Sequence, residues 1–253
     1  MSHLPGKFVW FEHLSSDVPK ARKFYETLFG WHTESMPMGE HAYQMIQNVN
    51  EGIGGYGSAP AGVPSCWMSY LSVADVDAAY KKATAAGATG LMAPMDYGSV
   101  GRCGVIKDPT GAAVSLWKGA QGDRADVTRT AVGDWHWNEL MTQDTAAALT
   151  FYESVFGFTH DNMDMGPMGT YYLLKAGETM RGGMMKSPDP TAPSTWLPYV
   201  AVADCDASAA KATALGAQVV VAPKDIPGVG RFAVFVDPLG AALAIMKPAP
   251  AAG

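Results

Sequence analysis

The chain is written twice, and the repeat limits what it can fold into. Phe24-Tyr25-Glu26-Thr27-Leu28-Phe29-Gly30-Trp31 returns as Phe151-Tyr152-Glu153-Ser154-Val155-Phe156-Gly157-Phe158, 127 positions later. Gly101-Arg102, followed by Asp108-Pro109-Thr110-Gly111-Ala112, returns as Gly230-Arg231 and Asp237-Pro238-Leu239-Gly240-Ala241, 129 positions later. Two registers so close together mean parallel halves separated by one small loop insertion. A period of this length marks a duplicated domain, because solenoid units run roughly 20–50 residues. In a chain of 253 residues each copy has the size of an ordinary domain, about 100–150 residues. The expected organisation is a first domain over 1–120, a polar, Gly-containing linker over 121–131 and a second domain over 132–253.

Each half itself contains a restart. Phe8 to Leu14 is a short aromatic and apolar run of strand type. Asp17 then caps a helix in which Ala21, Phe24, Tyr25, Leu28 and Phe29 recur at helical spacing, and Gly30 stops it. Short strands are expected near 42–48 and 52–57, and the Pro/Gly stretch from Ala59 to Pro64 is a loop. The pattern resumes with a strand from Trp67 to Val73 and an alanine-rich helix from Asp75 to Ala86. Strands near 89–93, 102–107 and 112–117 follow. The second half repeats this from Trp135, with helices near 144–156 and 204–215. The unit is strand–helix–three strands, performed twice per half.

Composition removes several function classes. Hydrophobic residues make up 48% and charged ones 17%, enough for an ordinary core in each half. The net charge is −6 with no basic stripe, which argues against nucleic acid, whose binding leans on clustered Lys and Arg. No apolar run approaches the roughly 20 residues that cross a bilayer, so no membrane partner is expected. Three cysteines, none in a CxxC spacing, read as reduced thiols of a cytoplasmic protein. There is no GxSxG elbow, Walker A loop or HExxH.

Three signatures occur in the same order in both halves. They are the Asp-x-x-x-Ala-x-x-Phe-Tyr helix opening from Asp17 to Tyr25, the Val-x-Asp-Val-Asp-Ala step from Val73 to Ala78, and the Asp-Pro-x-Gly hairpin. In the second half the Val-x-Asp step runs from Val202 to Ala207, with Cys205 in place of the second valine. This arrangement resembles the vicinal oxygen chelate superfamily of glyoxalase I, bleomycin-resistance proteins, fosfomycin-resistance enzymes and extradiol dioxygenases. The resemblance covers nearly the whole chain and implies an α+β fold. Two tandem glyoxalase-like domains are expected, each of two βαβββ units forming a curved mixed-sheet cup with helices on its outer face. A monomer by intrachain domain pairing is expected, with a homodimer as the alternative.

The resemblance also says where a metal would sit. Superposing the motifs places the ligand positions at Trp10, Met68 and Ser115 in one half and at Trp137, Leu197 and Ala244 in the other. None supplies the imidazole or carboxylate that a divalent cation needs. The expectation is therefore no metal and no other cofactor, with a divalent metal through a non-standard site as the alternative. Alternation of strand faces adds Glu12, Tyr70, Trp117, Glu139, Tyr199 and Met246 to the same lining. Such an aromatic wall with few polar anchors suits a small organic molecule.

Glu12 and Glu139 are the candidate general bases or anchors, because a carboxylate in an apolar cup is set up for either role. The bland reading is a rim carboxylate satisfied by an arginine; Arg102 and Arg231 are the natural partners, and both are also counted among the ligand-binding candidates. His13 and His136 lie on first strands out of phase with Trp10 and Trp137, and read as surface or sheet-back residues rather than ligands. Two functions compete: a metal-free binding protein of the bleomycin-resistance type, and a glyoxalase-like lyase or dioxygenase-type enzyme using a non-standard metal site or a Glu base. The first half, with Ser115 and Trp117 against Ala244 and Met246, is the expected working copy.

Overall fold

The computed structural model describes residues 3–38 and 41–250; residues 1–2 and 251–253, at the ends of the two expected domains, lie outside that range. The first half runs β1 (Phe8–Ser15), α1 (Val18–Phe29), β2 (His32–Met38), β3 (His41–Asn48) and β4 (Glu51–Ser58). It continues with β5 (Cys66–Ser72), α2 (Val76–Ala85), β6 (Thr89–Tyr97), β7 (Gly101–Lys107) and β8 (Ala113–Gly119). The second half runs β9 (Trp135–Thr142), α3 (Thr145–Phe156), β10 (Thr159–Asp164), β11 (Thr170–Ala176) and β12 (Thr179–Lys186). Then come β13 (Thr195–Ala201), α4 (Cys205–Ala214), β14 (Gln218–Ile226), β15 (Gly230–Val236) and β16 (Ala242–Pro248).

All four helices start in the same way. Asp17, Asp75, Asp144 and Asp204 each accept a hydrogen bond from the backbone N–H three residues on, at 2.9–3.0 Å. This satisfies one of the donors that a helix start leaves open. Helices α1 and α3 stop at Gly30 and Gly157, whose φ of 75° and 73° is the left-handed conformation that glycine adopts without a Cβ clash.

The strands form two eight-stranded mixed sheets with identical logic, β2-β3-β4-β1-β5-β8-β7-β6 and β10-β11-β12-β9-β13-β16-β15-β14. Strand β1 runs parallel to β4, and β5 runs parallel to β8, as do β9 with β12 and β13 with β16. The edge strand β2 is absent from the reading of the sequence. Its residues, His-Thr-Glu-Ser-Met-Pro-Met, carry no apolar alternation because most of them face solvent, and in the sheet it pairs antiparallel with β3. Strand β6 also runs past the expected 93 to Tyr97, through register shifts that accommodate Pro94.

Two compact units emerge, each holding one five-element module from each sequence half. The first contains residues up to Trp10, Met68–Asp126 and Trp137–Trp196; the second contains Phe11–Trp67, Val127–His136 and Leu197 onward. In the first unit α2 packs on α3, over a core that includes Leu71, Ile106, Leu116, Leu140, Phe151, Tyr152 and Trp196. In the second, α1 packs on α4, above buried Phe24, Tyr25, Leu28, Phe235, Leu243 and Ile245. An indole pair closes the second unit: Trp31 Nε1 donates to Gly133 O and Trp135 Nε1 donates to Ile53 O, both at 2.7 Å.

Candidate functional site

A buried Asp–Tyr–Trp network ties helix to sheet in both units, and it explains why Asp-Pro-x-Gly occurs twice. In the first unit Asp108 Oδ1 accepts the N–H groups of Thr110, Gly111 and Ala112, closing the turn. Its Oδ2 accepts from the Tyr152 hydroxyl of α3 at 2.9 Å, and Trp196 Nε1 donates to that same oxygen at 2.8 Å. The second unit repeats this with Asp237, Tyr25 and Trp67 and adds a fourth member. His13 Nε2 lies 2.8 Å from Asp237 Oδ2, both side chains essentially inaccessible, where the first unit has Leu140. Burial favours a protonated Asp237, but bonding to His13 and the turn N–H groups wins, and its pKa is lowered. Burial first, and the neighbouring carboxylates second, push Tyr25 and Tyr152 well above the usual phenol value. His13 thus faces the helices, and its Nδ1 is buried without a hydrogen-bond partner among the described residues. His136 bonds Thr130 Oγ1 at 3.1 Å, and burial lowers its pKa.

The opposite strand face carries the aromatic residues. In the first unit Tyr70 on β5 stands directly across from Ser115 on β8, and Trp117 lies two residues further along that face. The Tyr70 and Trp117 rings meet edge-on at 5.9 Å, and Tyr97 from β6 approaches Trp117 at 6.4 Å. Met68, Tyr70, Tyr97 and Trp117 are all half-buried, whereas Ser115 is 1% exposed and its Oγ has no hydrogen-bond partner among the described residues. Leaving a buried hydroxyl unpaired costs about 1–3 kcal/mol. The same positions in the second unit are shut: Leu197 is 7%, Tyr199 4%, Ala244 0% and Met246 4% exposed. Phe232, in register with Met246, fills the space beside Tyr199 at 6.4 Å.

The two carboxylates have an unforeseen companion. In the first unit Trp137 Nε1 donates to the Tyr171 hydroxyl at 2.8 Å, and that hydroxyl bonds the Glu139 carboxylate. Burial and then the Glu139 charge drive the Tyr171 phenol far above its usual range, so it remains a donor. Gly183, the register partner of Glu139, makes this possible: a Cβ there would come within 1.9 Å of the Tyr171 oxygen. Glu139 is 6% exposed. In the second unit Glu12 faces Gly55 in register, and Gly55 lies under the Tyr43 hydroxyl in the same way. Glu12 itself is half-buried, as are Trp10 and Trp137. Tyr43, Tyr97 and Tyr171 were not singled out from the sequence; the glycine doublets Gly54-Gly55 and Gly182-Gly183, which leave room for a crossing ring, are the signal for two of them.

The arginines go elsewhere than expected. Arg102 clamps Asp77 of α2 through Nε and Nη2 at 2.7 and 2.8 Å, and Asp96 of β6 through Nη1 at 2.9 Å. Arg231 repeats this with Asp206 and Asp225. Strand alternation turns both away from the aromatic face, so their fork fixes a helix start to a strand and is committed to those acids. Arg102 also borders a cavity of about 370 Å³ with Lys118, Ser72, His3 and Asp123. Its buried acid is already answered, since Asp123 accepts from Ser72 Oγ and the Leu4 N–H, each at 2.6 Å.

The residues present do not fit a divalent metal. The implied ligand positions hold Trp10, Met68, Ser115, Trp137, Leu197 and Ala244, none a usual donor. Among the described residues no three His, Cys, Asp or Glu side chains gather into a group able to hold one. Among them, too, no helix is long and apolar enough to cross a membrane.

Comparison with known proteins agrees with this architecture. The model of the glyoxalase/bleomycin resistance protein/dioxygenase superfamily matches residues 7–116 and again 135–245. The chain is 42% identical over 247 residues to "Putative glyoxylase CFP32" of Mycobacterium tuberculosis, covering 95% of this chain and 94% of that one. It is 32% identical to the anthracycline biosynthesis protein DnrV of Streptomyces peucetius, over 98% of both. Among solved structures, the Mn(II)-bound glyoxalase from Novosphingobium aromaticivorans superposes with a TM-score of 0.65 at 17% identity, covering 98% of this chain and 83% of that one. The 2,3-dioxygenase LapB of Pseudomonas sp. KL28 gives 0.64 at 12% identity, covering 100% and 96%. At these identities the two structures speak to the fold.

Proposed function

Because this chain belongs to the glyoxalase/bleomycin resistance protein/dioxygenase superfamily in both of its halves, we propose that it binds a small organic molecule on the aromatic face of its first unit, without a metal. The observation that carries the reading is the contrast between two copies of one surface. Tyr70, Tyr97 and Trp117 are half-open beside the unpaired Ser115 hydroxyl, while Tyr199 and Met246 are buried. An apolar, aromatic wall with one unpaired polar group is the usual composition of a ligand site. The names of the relatives, a glyoxylase and a protein of anthracycline biosynthesis, support a small molecule as what is handled.

A second reading, a glyoxalase-like or dioxygenase-type enzyme, draws on Glu139. Its buried carboxylate is held by Tyr171 in a fixed position, which suits a general base. Two measurements on protein purified without chelator separate the readings. The binding reading expects near-zero bound Zn, Ni, Mn or Fe after dialysis, together with saturable quenching of Trp fluorescence by an aromatic compound. Stoichiometric metal would overturn it. The enzyme reading expects turnover that disappears in Glu139→Gln; a variant as active as the parent removes it.

A further inference from the structure

We propose that Tyr70, Tyr97 and Trp117 form a cage for an organic cation, of the quaternary ammonium or protonated tertiary amine class. This rests on the binding reading above and narrows it to one kind of ligand.

Three observations support the cage. First, the rings are set at steep angles: Trp117 meets Tyr70 at 74° and Tyr97 at 63°, with centroids 5.9 and 6.4 Å apart. All three rings are half-buried and keep part of their surface open, and an open aromatic face attracts a cation within about 6 Å. Trp117 can lie down because Gly101 is beneath it; a Cβ there would approach the six-membered ring to 2.6 Å.

Second, the side chains sharing that strand face are uncharged. Alternation along β7 and β8 puts Cys103 and Ser115 beside Trp117, while Arg102 and its register partner Lys118 take the other side. No lysine or arginine of these two strands competes with a ligand cation there.

Third, the repeat shows the chain using this chemistry on itself. In the second unit Lys224 Nζ stands 5.2 Å from the centroid of the Phe232 ring, its register partner across β14 and β15. At a shift of 129 positions the first unit has Met95 for Lys224 and Cys103 for Phe232, again register partners. Where the internal ammonium and its Phe232 ring are lost, two other rings appear: Tyr97 stands for Ile226 and Trp117 for Met246. One copy carries its own cation on an aromatic ring, and the other presents more aromatic surface with a thioether in the lysine's place.

The test compares phenyltrimethylammonium with tert-butylbenzene, which has the same shape without the charge, by Trp fluorescence titration of the full chain. The cation is expected to bind about tenfold more tightly, the order of a desolvated cation–π contact. Met95→Lys, at an exposed position and copying Lys224, should weaken the cation at least tenfold and leave the neutral compound within about twofold. Tyr97→Phe should keep the preference and Tyr97→Leu should lose part of it, with circular dichroism and Tm confirming that each variant folds. Equal affinities for the two compounds, or a cation indifferent to Met95→Lys, would overturn the cage while leaving the small-molecule reading standing. Failure of both compounds to bind would remove the cage and the binding face together.

Discussion

The two compact units are copies of one plan that have been finished in opposite ways. In the second, the helix side of the sheet buries a histidine beside its aspartate and the other face is more closed: His13 pairs with Asp237, and Tyr199, Ala244 and Met246 are buried. In the first, the equivalent Asp108 has no histidine beside it, Leu140 standing where His13 would be, and the other face is left half-open around Trp117. A duplicated fold has the same core to maintain in each copy, so what is common to both reports on folding. What differs is where the proposed binding face is sought.

The largest expected difference lies in the buried acids. Asp237→Ala strands a buried histidine as well as the turn, and should cost about 3–5 kcal/mol in chemical denaturation. Asp108→Ala loses turn and Tyr152 bonds without leaving a buried imidazole unpaired, and should cost about 1–3 kcal/mol. Equal losses would mean that the His13 pair contributes nothing of its own. The sign of the pH effect follows from the lowered pKa of Asp237. Its contribution is present above the unfolded carboxylate value of about 3.9 and is lost as pH falls through the lower folded one. Acid unfolding of Asp237→Asn should accordingly be less steep below about pH 4 than that of the parent.

The aromatic faces give the next effect. Met246→Ala empties a packed position and should cost about 2–5 kcal/mol while leaving ligand binding unchanged. Trp117→Ala should cost about 1–2 kcal/mol, because part of its ring is already in water, yet abolish binding. A reversed pattern would mean that the working copy has been misassigned. Alkaline titration supplies a further check on both units. Tyr25, Tyr56, Tyr152 and Tyr171 are all raised by burial, so their neutral forms stabilise the fold below the unfolded value of about 10. That stability declines as pH rises beyond it, and phenolate absorbance from these four should appear only with unfolding. The smallest effect belongs to Lys224→Met, which copies the first unit and should cost about 0.5–1 kcal/mol in denaturation.

Much of the fold was legible because the signals are local and repeated. An aspartate before each helix and a glycine after α1 and α3 fix those ends through backbone geometry that needs no partner elsewhere. Strand β2 was not legible, since an edge strand facing solvent has no apolar phase to read. Face alternation along one strand brought Ser115 and Trp117 together, but it says nothing of what reaches in from a neighbouring strand. That is why Tyr97, Tyr171 and Tyr43 were missed. The arginines are illegible for the same reason: Arg102 and Arg231 look like partners for a rim carboxylate until the register reveals Asp96 and Asp225 opposite them. The signal was present in the repeat, since Asp77 with Asp96 and Asp206 with Asp225 recur at the same shift as the arginines.

The most direct measurement is the number of sites and where they are. Isothermal titration of the metal-free full chain with a soluble aromatic amine should reach saturation at one ligand per chain, with the site lost in Trp117→Ala and intact in Met246→Ala. Saturation at two per chain, or an unchanged isotherm in Trp117→Ala, would contradict the assignment of an open copy and a closed one.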